Sequence, residues 1–247
     1  MFLICAFILG IVFGSFITLA SHRLMTGDSL CGRSRCPKCK HKLNILDLFP
    51  LFSYMLQGAK CRYCKKNISV RYPMIEFTTG MLFAIIANEF SGNNLEIISL
   101  CLITVGLMIM IVVDFEHYII PDEVQIYLAV LGIIYAVLHQ NPLLYTLFIS
   151  IFSFAIAYLV KVVFKHITKK DGLGFGDVKF FAVAGLYLSI EGLSAFLFIA
   201  GILGLVIAGF WRLSNKGARF PFGPALATSL YICIVFPDFI KLFFYAS

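Results

Sequence analysis

The sequence predicts an all-α, polytopic membrane protein of about eight transmembrane helices, with a small polar domain inserted after the first helix. Hydrophobic residues make up 60% of the 247 residues and charged residues 13%, against roughly 45–50% and 25% in soluble domains. The mean hydropathy is +0.93, and the apolar residues form long runs interrupted by one sizeable polar insertion. This composition excludes a disordered chain, a soluble nucleic-acid-binding domain and a secreted disulfide scaffold, and it indicates a lipid bilayer as partner.

Eight apolar segments are candidates to cross a hydrocarbon core of about 30 Å. They lie at about 2–20, 74–90, 95–113, 123–139, 143–164, 178–190, 193–211 and 224–245. The first has no basic residue ahead of it and no small-residue cleavage site after it, so we expect a retained helix rather than a signal peptide. The short segment 178–190 is expected to be tilted among protein or to begin earlier. The predicted domains are a first transmembrane helix at 1–23, a cytoplasmic inserted domain at 24–73 and a seven-helix domain at 74–247.

The distribution of basic residues indicates the orientation of these segments. Of the 20 Lys and Arg residues, all but Lys241 lie in the loop 21–73 or around the loops that follow the fifth and seventh segments. With eight spans these loops share one face, and the positive-inside rule makes that face cytoplasmic. Both termini are then expected outside. Because the loops on the other side are brief, function is expected within the spans or on the cytoplasmic face.

Two CxxC pairs stand in the inserted domain, Cys36 with Cys39 and Cys61 with Cys64. Four thiolates at this spacing can surround one tetrahedral zinc ion, and the neighbouring basic residues would offset their negative charge. A closed shell of four cysteines leaves no position for water, so we expect a structural zinc. Disulfides and redox exchange are the alternatives, and a reducing cytoplasm disfavours the disulfides. Cys31 could compete as a ligand but has no partner at the right spacing.

Two aspartates stand at the predicted cytoplasmic ends of apolar segments. Asp114 directly follows the run 107–113, and Asp177 ends a Gly-Phe-Gly-Asp motif immediately before the sixth segment. A carboxylate costs roughly 2.5–3.5 kcal/mol near the centre of a membrane helix, so each of the two requires an explanation. In the predicted topology the third span ends and the sixth begins on the cytoplasmic side. Both carboxyl groups are therefore expected at a similar depth.

A converging pair of aspartates has a specific chemistry. Two neighbouring carboxyl groups cannot both ionise easily, so one stays protonated while the other acts as a base. Such a pair can activate water against a peptide carbonyl and then protonate the leaving amine. Gly174 and Gly176 remove side chains beside Asp177, so a substrate backbone is expected to come close. The alternative is that each aspartate is an interfacial charge at a helix end.

Other carboxylates have competing explanations. Asp122 and Glu123 follow Pro121 and are typical of the first turn of a helix, where negative charge is favoured. Glu76 has an equal claim to a helix-dipole role and to a functional one. Asp47 lies in the inserted domain, where we expect water to solvate it.

Several different motifs follow one another in order along almost the whole chain. They are Gly14-Ser15-Phe16 with His22-Arg23-Leu24, residues 34–39, 50–54, 61–64 and 68–76, Asp114 with Ile120-Pro121-Asp122, residues 174–179, and Phe222-Gly223-Pro224. In this order they resemble the type IV prepilin peptidases, bacterial inner-membrane enzymes also called leader peptidase/N-methyltransferases. Thr18 and Met25 depart from the family pattern, which usually has Asn and Pro there.

The resemblance implies an activity, a cofactor and substrates. The family cleaves the basic leader of type IV prepilin or pseudopilin precursors after a glycine, then methylates the new N-terminus with S-adenosylmethionine. By resemblance Asp114 and Asp177, rather than Asp122, form the peptidase pair, in a multi-pass protein of the bacterial inner membrane whose active site faces the cytoplasm. Because no glycine-rich nucleotide motif follows a strand, S-adenosylmethionine rests on the resemblance alone. No nucleic-acid partner is expected.

Two other classes of function remain open. A polytopic transporter or proton relay could also use paired intramembrane carboxylates, although the four-cysteine insertion has no evident purpose there. A membrane assembly factor with a zinc-ribbon docking module would leave the Gly-Phe-Gly-Asp motif unexplained. Shortening of a membrane-inserted prepilin would distinguish a peptidase from both.

Overall fold

The structure, a computed structural model, describes residues 2–29, 32–36, 38–44, 47, 50–169, 172–214 and 219–244. Regular secondary structure in these ranges is helical, and extended pairing is limited to two isolated β-bridges. The helices are α1 (Phe2–Thr26), α2 (Phe52–Leu56), α3 (Arg71–Glu89), α4 (Asn94–His117), α5 (Asp122–Leu138), α6 (Leu143–Thr168), α7 (Phe175–Gly185), α8 (Ile190–Leu213), α9 (Gly223–Val235) and α10 (Pro237–Phe244). The predicted all-α class is confirmed for these ranges. Cys31 lies outside them.

Helices occupy all eight of the predicted apolar segments. Among the described helices, α1, α4, α6 and α8 are long and apolar enough to cross a membrane. Helices α3, α5, α7 and α9 are shorter or less apolar, because their sequences carry more polar residues or end earlier. The multi-pass class is thus supported, while a count of eight spans stays a prediction.

The final predicted segment, 224–245, is divided between α9 and α10. The break falls at Phe236, whose φ and ψ are −120° and 58°, directly before Pro237. A residue that precedes proline is driven out of the helical region, whereas proline itself fits the first position of a new helix. This apolar segment is therefore not one continuous helix in the residues that the structure describes.

The chain forms two compact units, residues 1–109 and 110–247. In the first unit α1 and α3 pack antiparallel with little space between their backbones. A Cβ on Gly14 would lie 2.5 Å from the Cα of Glu76, and the Arg71 guanidinium donates to Ser21 Oγ at 3.2 Å. Gly10 and Gly14 are four residues apart, the spacing that allows membrane helices to approach closely. The predicted inserted domain, 24–73, covers the segment between these two helices, and its bounds as a domain stay a prediction.

In the second unit the short helix α7 is enclosed by protein. The hydroxyls of Ser150 and Ser153 on α6 donate to the carbonyls of Ala182 and Phe181 at 2.8 and 2.7 Å. Tyr187, just after α7, donates to the carbonyl of Leu128 on α5. Helix α7 also begins at Phe175, earlier than the predicted segment 178–190. Contacts with α5 and α6 therefore fix the helix that carries Asp177.

Candidate active site and metal cluster

Asp114 lies on the buried side of the C-terminal end of α4. Its side chain accepts a hydrogen bond at Oδ2 from the backbone N–H of Gly223, the first residue of α9, at 2.7 Å. A Cβ on Gly223 would lie 2.8 Å from that same oxygen, so the glycine leaves the space that the carboxyl occupies. The N-terminus of α9 also carries partial positive charge. The Asp114 carboxyl is thus held in place by α9.

Asp177 is the third residue of α7 and reaches back to the start of its own helix. Its Oδ2 accepts the N–H of Gly174 at 3.0 Å, as the third helical residue does in a capping box. A Cβ on Gly174 would lie 2.8 Å from this oxygen, and one on Gly176 would lie 3.3 Å from the Cβ of Ile120. Both glycines therefore make room for the protein's own atoms. Their proximity to substrate stays a prediction.

The structure brings the two aspartates into electrostatic range of each other. The negative charge of Asp114 acts on the Asp177 carboxyl, and the ammonium group of Lys161 on α6 acts on it with opposite sign. Asp114 is 5% exposed, and Asp177 is partly buried. A pair of carboxyl groups in such surroundings can hold one proton between them and carry out acid–base chemistry.

Asp122 and Glu76 make their contacts with residues other than Asp114 and Asp177. Asp122 begins α5, as predicted, and its exposed carboxylate binds Lys179 at 2.8 Å. Glu76 is 7% exposed and accepts the backbone N–H of Leu51 at 2.8 Å. Glu76 therefore ties the inserted domain to α3.

Four cysteines of the inserted domain, Cys36, Cys39, Cys61 and Cys64, form a second site. Their sulfur atoms all lie within 4.8 Å of one another, so the cluster could hold a metal ion. Each pair sits in a turn of the same design, in which the first cysteine donates its N–H five residues ahead and accepts an N–H from four residues ahead. These bonds are Cys36 to His41, Lys40 to Cys36, Cys61 to Lys66 and Lys65 to Cys61, at 3.0, 2.9, 2.9 and 2.9 Å. Two equal turns that face each other match the donor set of a tetrahedral thiolate site.

The protonation of the thiols favours a cation among them. Burial opposes the charge on Cys36, but N–H groups of Cys39 and Lys38 donate to its sulfur and lower its pKa to about 7. For Cys39 an N–H of His41 favours the thiolate, yet burial and the neighbouring Cys36 outweigh it and raise the pKa to about 11. Cys36 and Cys39 therefore compete for negative charge, and a divalent cation bound between them would remove that competition.

Asp47 is an organising residue of the inserted domain. Its side chain is 3% exposed and contacts Arg62 at 3.4 Å. It accepts hydrogen bonds from Tyr63, Gln57 and the backbone of Asn44 at 3.3, 3.2 and 3.1 Å. The expectation that water solvates Asp47 was wrong, because the chain folds back around the carboxylate. No local pattern in the sequence identifies this role.

The comparisons with known proteins cover both sites. Residues 8–90 match the Bacterial Peptidase A24 N-terminal domain and residues 101–209 match the Type IV leader peptidase family. The prepilin leader peptidase/N-methyltransferase of Bacillus subtilis is 31% identical over 242 residues, 96% of each chain. The chain belongs to the type IV leader peptidase family. The relatives of that name in Neisseria gonorrhoeae (34% over 206 residues, 83% of this chain and 71% of the relative) and Pseudomonas aeruginosa (29% over 270 residues, 96% and 91%) agree with this. No solved structure matches the chain significantly.

Membership in the leader peptidase family confirms the resemblance that the motifs predicted. Asp114 and Asp177 fall within the leader peptidase match and the four cysteines within the N-terminal match. Lys161 and Gly223 were missed as partners of the aspartates. Lys161 had a sequence signal, since it is a lysine inside the apolar run 143–164. The Gly223 contact spans 109 residues of chain, and no local pattern reveals it.

Proposed function

We propose that this chain cleaves the basic leader of type IV prepilin-like precursors at the cytoplasmic membrane interface, with Asp114 and Asp177 as the catalytic pair, and N-methylates the new N-terminus. The observation that carries the proposal is the electrostatic interaction between two carboxyl groups, at the end of α4 and the start of α7, in a leader peptidase family member. The names of the relatives in B. subtilis and N. gonorrhoeae support both activities.

The two aspartates would act as one acid–base unit. The ionised carboxyl takes a proton from water as the oxygen attacks the scissile carbonyl, and the protonated carboxyl then gives its proton to the leaving amine. The N–H groups of Gly223 and Gly174 hold one oxygen of each aspartate, so the other oxygens can face water and substrate. Because the carboxyl groups are already held in place, they need not reorient during the reaction.

The chemistry of a prepilin suits this position. A cationic leader stays on the cytoplasmic side while the apolar helix that follows it enters the bilayer, so the scissile bond lies at the interface. The proposal is tested by incubating the full-length protein with a membrane-inserted prepilin. The expected result is a shorter product that begins after a glycine, and an uncut precursor would contradict it.

The orientation of the helices gives an independent prediction. A reporter enzyme that works only outside the cytoplasm should be active when fused near Asn93 or Gln140 and inactive near Lys65 or Lys169, because basic loops stay inside. The measurement is reporter activity normalised to the amount of fusion protein. The reverse pattern would place both aspartates on the wrong side for a basic leader.

We also propose that Cys36, Cys39, Cys61 and Cys64 hold one structural zinc ion. A set of four thiolates favours zinc over harder cations, and the closed shell leaves no coordination position for catalysis.

S-adenosylmethionine would supply the methyl group, as the relatives' names suggest, and we assign no residue to its binding.

Replacement of Asp47 by alanine should weaken metal binding. The carboxylate orders Arg62 and Tyr63 between two of the cysteines, and loss of such outer-shell partners typically costs about 10–100-fold in metal affinity. The measurement is a zinc competition titration of the full-length protein with a chromophoric chelator. The matched control is Asp28→Ala, an exposed aspartate at the entrance of the same domain. Equal affinities in the two variants would contradict the role of Asp47.

A further inference from the structure

An ion pair ties the first turn of α5 to the second turn of α7. Lys179 lies two residues beyond Asp177, and its ammonium group donates to both oxygens of Asp122 at 2.8 and 2.9 Å. Asp122 is the first residue of α5. Gly176 packs at the same level, where a Cβ added to it would lie 3.3 Å from the Cβ of Ile120, just before α5. The beginning of α7 is thus held to the beginning of α5 by a charged contact beside the packing of Gly176 on the Ile120 side chain.

Phe175 extends this connection to α6. The ammonium groups of Lys179 and Lys161 lie 5.4 and 5.2 Å from the centroid of its ring, within the range of cation–π attraction. Contacts therefore run from Asp122 through Lys179 and Phe175 to Lys161, and they join three helices around the turn that carries Asp177. The same Lys161 acts electrostatically on Asp177.

The local sequence makes external support of this turn necessary. Phe175 stands between Gly174 and Gly176, and glycine gives the backbone more freedom than any other residue. The Asp177 carboxyl accepts its hydrogen bond from one of these glycines, so a shift of the glycine backbone moves the carboxyl with it. Contacts from α5 and α6 can restrict that shift.

We propose that Asp122 is a positioning residue for Asp177 and acts through Lys179; this inference rests on the proposed function. The side chains of Lys179 and Asp122 are 38% and 62% exposed, and exposed ion pairs contribute little to stability. Misplacement of a catalytic group by about 1 Å, however, can cost on the order of 100-fold in rate. Loss of this pair should therefore lower the rate of cleavage much more than the stability of the fold.

The experiment is a charge-reversal cycle in the full-length, membrane-inserted protein. Asp122→Lys and Lys179→Asp should each lower kcat for prepilin cleavage about 10–100-fold with KM within about 3-fold. The double variant restores the attraction with exchanged signs, so kcat should return to within about 5-fold of wild type. Lys179→Arg should stay near wild type. The matched control is Asp238→Lys, which reverses one charge of the exposed Asp238–Lys241 pair on α10 and should leave kcat unchanged.

Each of four outcomes would overturn the proposal. Wild-type kcat in both single variants would reduce the contact to a surface ion pair. A double variant no better than the singles, or a KM effect alone, would indicate that Asp122 meets the basic leader directly. Amide hydrogen exchange at residues 175–179 without substrate gives a readout independent of cleavage. Faster exchange in the single variants and recovery in the double variant is expected, and unchanged exchange would also overturn the proposal. If the wild-type protein does not cleave prepilin, the proposed function is contradicted. The exchange measurement then tests the positioning role of Asp122 by itself.

Discussion

Asp177→Asn and Asp114→Asn variants should each lose prepilin cleavage by about 10²–10⁴-fold or more, because a single amide in the pair can neither take the proton from water nor return it to the leaving amine. Each helix keeps its apolar face, and an amide oxygen can still accept the N–H of Gly174 or Gly223, so both variants should insert and fold. The measurement is single-turnover cleavage in vesicles with matched amounts of protein.

The control for this pair is Asp238→Asn, an exposed carboxylate on α10 that should leave cleavage unchanged, whereas Asp122→Asn should have a milder effect than the changes at Asp114 and Asp177. Methylation of a substrate that has already been cleaved should persist in the Asp114 and Asp177 variants, since the two activities would use different residues. Near-normal cleavage by a well-expressed Asp177→Ala variant would remove the assignment of the pair.

Single Cys→Ser changes at Cys36, Cys39, Cys61 or Cys64 should release the metal and expose residues 31–70 to protease. A structural zinc contributes roughly 10–16 kcal/mol of apparent binding free energy in small peptides, and a domain this small has little apolar core to replace it. Purified wild-type protein should contain about one zinc per chain by elemental analysis. The helices should survive in the variants, because the bilayer and helix packing stabilise them separately.

A matched control and a contrast between activities sharpen this test. Cys5→Ser, at an exposed position on α1, should keep its zinc. Peptidase activity should fall only partly in the cluster variants, because Asp114 and Asp177 lie outside the inserted domain, whereas methylation should fall further if this domain forms the methyltransferase site. Full activity in metal-free protein with a protease-resistant domain would show that the four thiols are not a zinc site.

Two kinds of feature could be predicted from the sequence: charged residues that are energetically costly beside a membrane span, and metal-binding residues at a characteristic spacing. Asp114 and Asp177 stand out in the sequence as candidates because a carboxylate beside an apolar run is expensive, and the cysteine cluster stands out because paired CxxC turns have few other uses. The two ends of a helix were harder to place. Helix α7 begins at Phe175, since Asp177 caps its own helix, and Pro237 divides a run whose apolar character is continuous.

Residues whose role depends on a distant partner could not be predicted. In the sequence Gly223 is only part of a turn. In the structure its N–H donates to Asp114, which lies far earlier in the chain. Asp47 looked like a solvated loop residue, because its donors Arg62, Tyr63 and Gln57 are brought to it only by folding. Hydrophobic periodicity reports which face of a helix is buried, but it does not report which polar atoms meet.

The antiparallel packing of α1 against α3 pins both ends of the inserted domain. Gly14 lies on Glu76, and Arg71 binds Ser21 at 3.2 Å, so the chain returns close to where it left. The entropy of closing this loop is thus offset by helix contacts, and it grows only with the logarithm of loop length. We therefore expect changes in the length of the inserted domain, away from the contact of Leu51 with Glu76, to leave the register of the two helices unchanged.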